Sequence, residues 1–313
     1  MNILIAGGAG FIGSNSTHYF LDKGHRVTVV DNLLSGFYHN IENLNNNSKF
    51  TFIQLDICNR ENLEKIFSNE DFDICINFAA LVSVAESMDK PELTEKINVE
   101  GLLNLLDLGG KNGIKKFVLA SSAAMYGDSQ ILPTTEIMAP EPKSPYAITK
   151  IAGEYYNTFY ANKYGFEAIN CRFFNVFGPR QSPQSQYAAA IPIFITRALK
   201  HDSITIFGDG EQVRDFIFIE DLISAIDYLI HTEKHDPLPF NLGYGKFISI
   251  NELASLIIDI SKSSSQMIHQ DERAGDIKLS YASVERLRQL GWKEHMGFKK
   301  GLDKTIEWYK NNS

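Results

Sequence analysis

Cysteine is scarce in this chain. Its 313 residues include three, Cys58, Cys75 and Cys171, and an odd number without near-neighbours supports no disulfide framework. Cys75 and Cys171 lie in apolar runs, which predicts buried free thiols in a reducing compartment, the cytoplasm. Long hydrophobic runs are missing too. None approaches the ~18 residues that cross a bilayer, so no membrane partner is expected. Met1-Asn2-Ile3-Leu4-Ile5-Ala6 is apolar but has no basic flank and runs directly into glycines, which predicts a first strand and not a signal peptide. Nor is there a positive excess: 30 Lys and Arg stand against 38 Asp and Glu, a formal net charge of −8. That balance argues against nucleic acid or anionic membrane as a partner. The chain has no internal repeat and no low-complexity tail. His231 and His235 have the i,i+4 spacing of a ligand pair, but the surrounding Thr-Glu-Lys and Asp-Pro predict a frayed helix end, so no metal is expected.

What is present reads as a globular enzyme. Hydrophobic residues make up 44% and charged residues 22%, ordinary values for a soluble domain. The length suits one large domain with a lobe, or two domains. Asn2 to Ala6 predicts a buried parallel strand. Gly7, Gly10 and Gly13 follow at once as G-x-x-G-x-x-G, with Phe11 and Ile12 opening a helix. Strand, glycine turn and helix in that order suit a tight turn, close backbone approach to a pyrophosphate, and a helix N-terminus aimed at the anion. The next strand, 26–30, ends at Asp31 and Asn32. Asp31 lies at the spacing of the acid that holds the adenosine ribose hydroxyls, and it would repel a 2′-phosphate, which favours NAD over NADP. A strand at 50–55 ends in Asp56 and Ile57, expected beside the adenine. A strand at 73–80 ends in the small residues Ala79 and Ala80, suited to a chain passing close to a cofactor. Residues 98–106 predict a helix and 116–120 a strand, followed by Ser121 and Ser122. This alternation predicts an α/β fold with a Rossmann-type doubly wound parallel sheet and ligands at the carboxyl ends of its strands.

Ser144-Pro145-Tyr146-Ala147-Ile148-Thr149-Lys150 is the chemical centre of the chain. Ser144 suits an N-cap and Pro145 a first helical position. Tyr146 and Lys150 then stack on one helix face. A neighbouring cation favours phenolate, so the pair is expected to lower the tyrosine pKa and move protons. Ser122 can bridge Tyr146 to a substrate hydroxyl. A sixth strand is expected at 168–174. Beyond it the composition changes: Pro179, Pro183 and Pro192 mark loops. Helices are expected near 191–200, 219–229, 250–260, 283–290 and 298–309, and short strands near 240–243 and 267–269.

Taken together, the glycine turn, Asp31, Ser122, Tyr146, Lys150 and Asn175 give a chain that resembles the extended short-chain dehydrogenase/reductase family, in particular its nucleotide-sugar epimerases and dehydratases. The resemblance runs nearly end to end. It also includes Arg-Phe-Phe-Asn-Val-Phe-Gly-Pro at 172–179, Gly208-Asp209-Gly210 followed by Val213-Arg214-Asp215, and Arg273-Ala274-Gly275-Asp276. It implies a smaller α/β C-terminal lobe that binds the nucleotide sugar. The NAD-binding domain would span 1–176 plus about 213–242, and the lobe 177–212 and 243–313. It also implies that Asn175 holds the sugar nucleotide, that Arg214 and Arg273 clamp its diphosphate, and that Asp276 helps on the nucleoside side. Dehydratases of the family carry an acid just before the second-motif tyrosine, where this chain has Ala123 and Ala124. That leaves 4-epimerisation, with a tightly held NAD. In UDP-hexose 4-epimerases the position four after the Arg-x-Gly-Asp aspartate gates sugar size; here it is Ser280, followed by Tyr281. Ser83, Gln181 and Tyr187 resemble the UDP-N-acetylglucosamine branch. The expected pair is UDP-GlcNAc/UDP-GalNAc, with UDP-Glc/UDP-Gal also accepted. Arg180 keeps UDP-glucuronate open as an alternative, and an NAD-linked nucleotide-sugar reductase or dehydrogenase is the other. Relatives are commonly homodimers joined by helices corresponding to about 91–108 and 146–164.

Overall fold

The computed structural model describes residues 1–129, 131–183, 189–233, 236–272 and 278–312. The chain separates into two compact units. The first comprises 1–127, 139–172 and 226–240, and the second 128–138, 173–225 and 241–313. The sequence expectation returned the chain to the first domain near 213 and left 128–138 within it. The hydrogen bonds explain the difference at 128–138. Thr134 donates through both its amide and its hydroxyl to the Tyr281 carbonyl (3.0 and 2.8 Å), and the Glu136 carboxylate accepts from the Asn241 amide at 3.0 Å. That segment is stitched to the second unit.

The first unit alternates strands and helices. β1 (Asn2–Ala6) leads to α1 (Phe11–Asp22), then β2 (Arg26–Asp31), β3 (Phe50–Gln54), α2 (Arg60–Asn69) and β4 (Ile74–Asn77). Two short helices, α3 (Val84–Asp89) and α4 (Pro91–Glu95), run through a π-helical turn at Lys96–Glu100 into α5 (Gly101–Lys111). β5 (Lys116–Ser122), α6 (Pro145–Tyr164) and β6 (Glu167–Phe173) complete the sequence. β1 pairs parallel with β2 and with β4, β2 with β3, and β4 with β5. Alternate residues of each strand face opposite sides of the sheet. Leu4, Ala6, Cys75, Phe117 and Leu119 join Leu63, Phe67, Leu105 and Leu106 of α2 and α5 in one buried cluster. Ile3, Ile5, Val27 and Val29, also fully buried, point to the other face, where α1 packs on β1 and β2. Both faces of β1, β2, β4 and β5 are covered, which is why these strands read as near-continuous apolar runs.

The second unit carries β7 (Asn175–Phe177), α7 (Ala190–Leu199), β8 (Ile204–Phe207), β9 (Val213–Arg214), β10 (Phe216–Phe218) and the first half of α8 (Ile219–His231). It continues with β11 (Phe240–Leu242), β12 (Ile248–Ser249), α9 (Ile250–Ser261), β13 (Met267–Gln270), β14 (Leu279–Ser280), α10 (Glu285–Gln289) and α11 (Phe298–Asn312). Its strands form small sheets: β10 with β7, β12-β9-β14, and β13 with β8. The large sheet has seven strands in the order β11-β6-β5-β4-β1-β2-β3. The order reverses between β1 and β4, and the crevice beyond their carboxyl ends is where such sheets bind ligands. All three cysteines are free, with Cys75 and Cys171 buried, as expected. Among the described residues no helix is long and apolar enough to cross a membrane.

Candidate active site

The turn after β1 explains its glycines one by one. Gly7 has φ +78, and a Cβ there would lie 2.6 Å from the Ala79 amide nitrogen. A Cβ on Gly13 would fall 2.0 Å from the Gly7 carbonyl oxygen. A side chain at Gly7 would push against the loop after β4, and one at Gly13 against the backbone of the turn itself. Gly10 differs: its Cβ would meet only the Gly7 oxygen, at 3.4 Å, so the space beside it is open. Gly10 is also the N-cap of α1 and supplies no side-chain cap. The helix therefore begins with backbone N–H groups facing an open approach, which is an anion site. Phe11 and Ile12, in that first turn, are half-buried.

Asp31 ends β2 and is buried. Its carboxylate accepts from the Ala9 amide at 2.9 Å and from the Leu33 amide at 2.8 Å. Each oxygen keeps a lone pair for a ribose hydroxyl, and the fixed negative charge disfavours a phosphate there. Exposed Asn32 and Asp56 each close a local turn, accepting from the Leu34 and Cys58 amides at 3.0 and 2.9 Å. Ala79 donates its amide to Asn77 Oδ1 at 3.0 Å, and both Ala79 and Ala80 are partly open. Ile57 departs from expectation. Its side chain is buried, a Cβ on Gly101 would come within 2.6 Å of it, and its carbonyl accepts from Asn104 Nδ2 at 3.0 Å. Its side chain belongs to the core and offers almost no surface of its own.

Ser144 caps α6, accepting from the Ala147 amide at 3.2 Å, and Pro145 takes the first helical position. Tyr146 and Lys150 are buried. Lys150 Nζ lies 5.6 Å from the centre of the Tyr146 ring and donates to the Ala120 carbonyl at 2.8 Å. Burial depresses the lysine to about 8. Burial also pushes the tyrosine up, opposed by a hydrogen bond from Ser122. The sequence led to the expectation of a lowered Tyr146 pKa; in the protein alone, removing the phenol from water raises it. Among the described residues no carboxylate contributes to either shift.

A buried network that the sequence reading did not single out holds this helix in place. Glu154 lies one turn beyond Lys150 on the same face. Arg172 of β6 grips it in a fork, Nε to Oε1 and Nη2 to Oε2, both 2.9 Å. Arg172 Nη1 donates to the Tyr126 hydroxyl at 2.7 Å, and Ser121, next to Ser122, donates to Glu154 Oε1. Asn98, in the π-helical turn, receives the Leu81 amide at 2.7 Å and donates to Thr149 Oγ1 at 3.0 Å. The signal was there: Tyr146, Lys150 and Glu154 share a helical face, and Arg172 is a charge inside an apolar strand. Ser83 caps α3, accepting from the Glu86 amide at 3.0 Å.

The second unit groups other expected residues around Asp215, which is fully buried. Its carboxylate accepts from the amides of Tyr244, Gly245 and Ala282 at 2.7, 2.9 and 3.2 Å. Burial still raises it to about 6. Its carbonyl accepts from Asn175 Nδ2 at 2.8 Å, and its amide donates to the Ser280 carbonyl at 3.0 Å. Arg214 and Ser280 are register partners across β9 and β14, so their side chains share one face. Tyr281 points to the opposite face and lies 4.9 Å, ring to ring, from Phe247. Gln181 donates to the Val176 carbonyl at 3.2 Å. Tyr187, Arg273 and Asp276 lie outside the described residues.

The profile of the NAD dependent epimerase/dehydratase family matches residues 3–243. The chain belongs to this family. NAD is its cofactor, which the glycine turn and Asp31 fit. Among characterised epimerases and dehydratases, the UDP-glucose 4-epimerase of Mycolicibacterium smegmatis is 33% identical over 319 aligned positions, covering 100% of both chains. The UDP-glucose 4-epimerase of Thermotoga maritima, solved with UDP-glucose, superposes with a TM-score of 0.93 at 36% identity, covering 100% of this chain and 99% of its own. A UDP-N-acetylglucosamine 4-epimerase from Methanobrevibacter ruminantium, solved with UDP-N-acetylmuramic acid, gives 0.92 at 36%, with 100% and 99% covered.

Proposed function

We propose that this protein interconverts UDP-hexoses at C4, with UDP-GlcNAc/UDP-GalNAc as the favoured pair and UDP-Glc/UDP-Gal also accepted. The observation that carries the reading is the buried Tyr146–Lys150 pair with Ser122 on the phenol and, among the described residues, no carboxylate acting on it. Ala123 and Ala124 follow Ser122 in a 3₁₀ turn, so the positions of a dehydratase acid are methyl groups. A base without an acid suits removal of the 4-hydroxyl proton and its return, and not expulsion of a 6-hydroxyl. Tyr146 takes that proton through Ser122, and Lys150 stabilises the resulting charge. NAD, held tightly throughout, supplies the hydride acceptor and donor. Between the two transfers the 4-keto sugar presents its other face, so affinity must come from the diphosphate, for which Arg214 and Arg273 are proposed. Ser280 beside Arg214 leaves room for a 2-acetamido group, since Tyr281 is turned to Phe247.

The test is to incubate purified protein, without added cofactor, with UDP-GlcNAc and separately with UDP-Glc, and to resolve the 4-epimers. Conversion of both supports the proposal, and conversion of UDP-Glc alone removes the Ser280 assignment. Conversion of UDP-glucuronate instead would favour a role for Arg180, which sits with φ +68 at the turn after β7. Steady NADH turnover would indicate a reductase.

A homodimer is part of the same proposal. Ile148, Tyr155 and Phe159 of α6 are 52%, 70% and 60% exposed at spacings that place them on one face. Met88 and Leu93 add apolar surface on α3 and α4. Light scattering after gel filtration should give twice the chain mass, and the Tyr155→Glu/Phe159→Glu variant the single chain mass.

A further inference from the structure

The structure assigns a cation site to the first unit, built from His25, Asp227 and His231 and suited to a zinc-type divalent ion. His25 follows the left-handed Gly24 that closes α1 and leads into β2. Asp227 and His231 lie one turn apart on α8, which puts both on one face. One ligand atom from each of the three lies within 4.8 Å of the others. The expectation of no metal rested on His231 with His235; the fold instead brings His231 to His25, some two hundred residues away in the chain.

A carboxylate oxygen in this cluster points to a ligand. Asp227 is 6% exposed. Its Oδ2 receives Lys23 Nζ at 2.6 Å and the Tyr19 hydroxyl at 3.1 Å. Its Oδ1 is buried and makes no hydrogen bond, although His231 Nδ1 lies 3.1 Å away. Most buried carboxylate oxygens are satisfied, and a cation between Oδ1 and the two imidazoles would satisfy this one. His231 Nδ1 is also 2.9 Å from the Asp227 carbonyl; with its proton donated there, Nε2 would be the ligating nitrogen. The two rings lie 6.2 Å apart, tilted by 33°.

Two imidazoles and one carboxylate suit zinc, with bonds of about 2.0–2.2 Å and an open fourth position for water. Donors at that radius sit roughly 3.4 Å apart in a tetrahedron, closer than the present spread. His231, whose side chain is 53% exposed, has the freedom to close it. Lys23, 47% exposed, can keep its hold on Oδ2 or swing outward. The ion would staple the end of α8 to the turn between α1 and β2.

The test is calorimetric titration of ZnCl₂, and visible spectroscopy with CoCl₂, on the full chain after chelator washing. The Met1 amine lies 3.3 Å from His25 Nδ1, so the N-terminus is left without a tag. The expected result is one ion per chain, tetrahedral cobalt bands, and a zinc-dependent rise in Tm. His25→Asn and His231→Ala should each weaken binding tenfold or more and abolish the rise, while His295→Ala should change neither. Because His231 is half-exposed, its variant should fold as the wild type does by circular dichroism. Absence of saturable binding, or binding untouched by both substitutions, would overturn the assignment.

Discussion

Replacing Glu154 by Gln tests whether a buried ion pair sets the catalytic helix. Glu154 and Arg172 are 8% and 5% exposed. The guanidinium cannot shed its proton, so the substitution leaves a buried cation facing a neutral amide. Geometry adds to the loss. Two donors converge on Oε1 and a third on Oε2, so whichever way the new amide turns, its NH₂ meets a donor. Breaking such a pair costs about 3–5 kcal/mol. At ~2–4 °C per kcal/mol for a domain of roughly 200 residues, Tm should fall by roughly 6–20 °C. Because Glu154 lies one turn from Lys150, kcat should fall more than KM rises. Glu154→Leu combined with Arg172→Met removes both charges and should recover most of the stability. Urea unfolding followed by circular dichroism measures both. A loss below about 1 kcal/mol for Glu154→Gln, or a double variant no more stable than the single, would refute the reasoning.

Tyr146→Phe should lower epimerisation by ~10²–10⁴-fold while the protein retains its NAD, read from the absorbance of nucleotide released on denaturation. Ser280→Tyr should abolish conversion of UDP-GlcNAc and spare that of UDP-Glc, since the added ring would crowd the acetamido group beside Arg214. Lys150 titrates near 8 in the folded protein against 10.5 as its ordinary value. Between those values the unfolded chain binds more protons, so the lysine makes stability rise with pH. In cofactor-free protein the wild type should therefore gain roughly 1.5 kcal/mol over Lys150→Met between pH 8 and 9.5; parallel pH profiles would contradict it.

The central strands of the large sheet were legible because β1, β2, β4 and β5 are buried on both faces, and their apolar runs sit between turn residues. The glycine turn and the start of α6 were legible because Gly7, Gly13, Ser144 and Pro145 each meet a local backbone demand. Three things were not. The sign of the Tyr146 shift depends on burial, which no local spacing states. Asp215 gathers amides from residues 244, 245 and 282, which only the fold brings together. The helix expected at 98–106 instead begins as α5 at Gly101, joined to the short α4 by the π-helical turn at Lys96–Glu100. The turn places Asn98 against Leu81 and Thr149 through long-range contacts.

The measurement closest to the central claim follows the C4 hydrogen itself. UDP-sugar deuterated at C4 is incubated with the protein in ordinary water, and the product is read by mass spectrometry and NMR. Abstraction by NAD and return within one active site predicts the 4-epimer with its deuterium retained at C4. Epimerisation with the label lost to solvent would contradict that account, as would a stable 4-keto product accompanied by reduced cofactor.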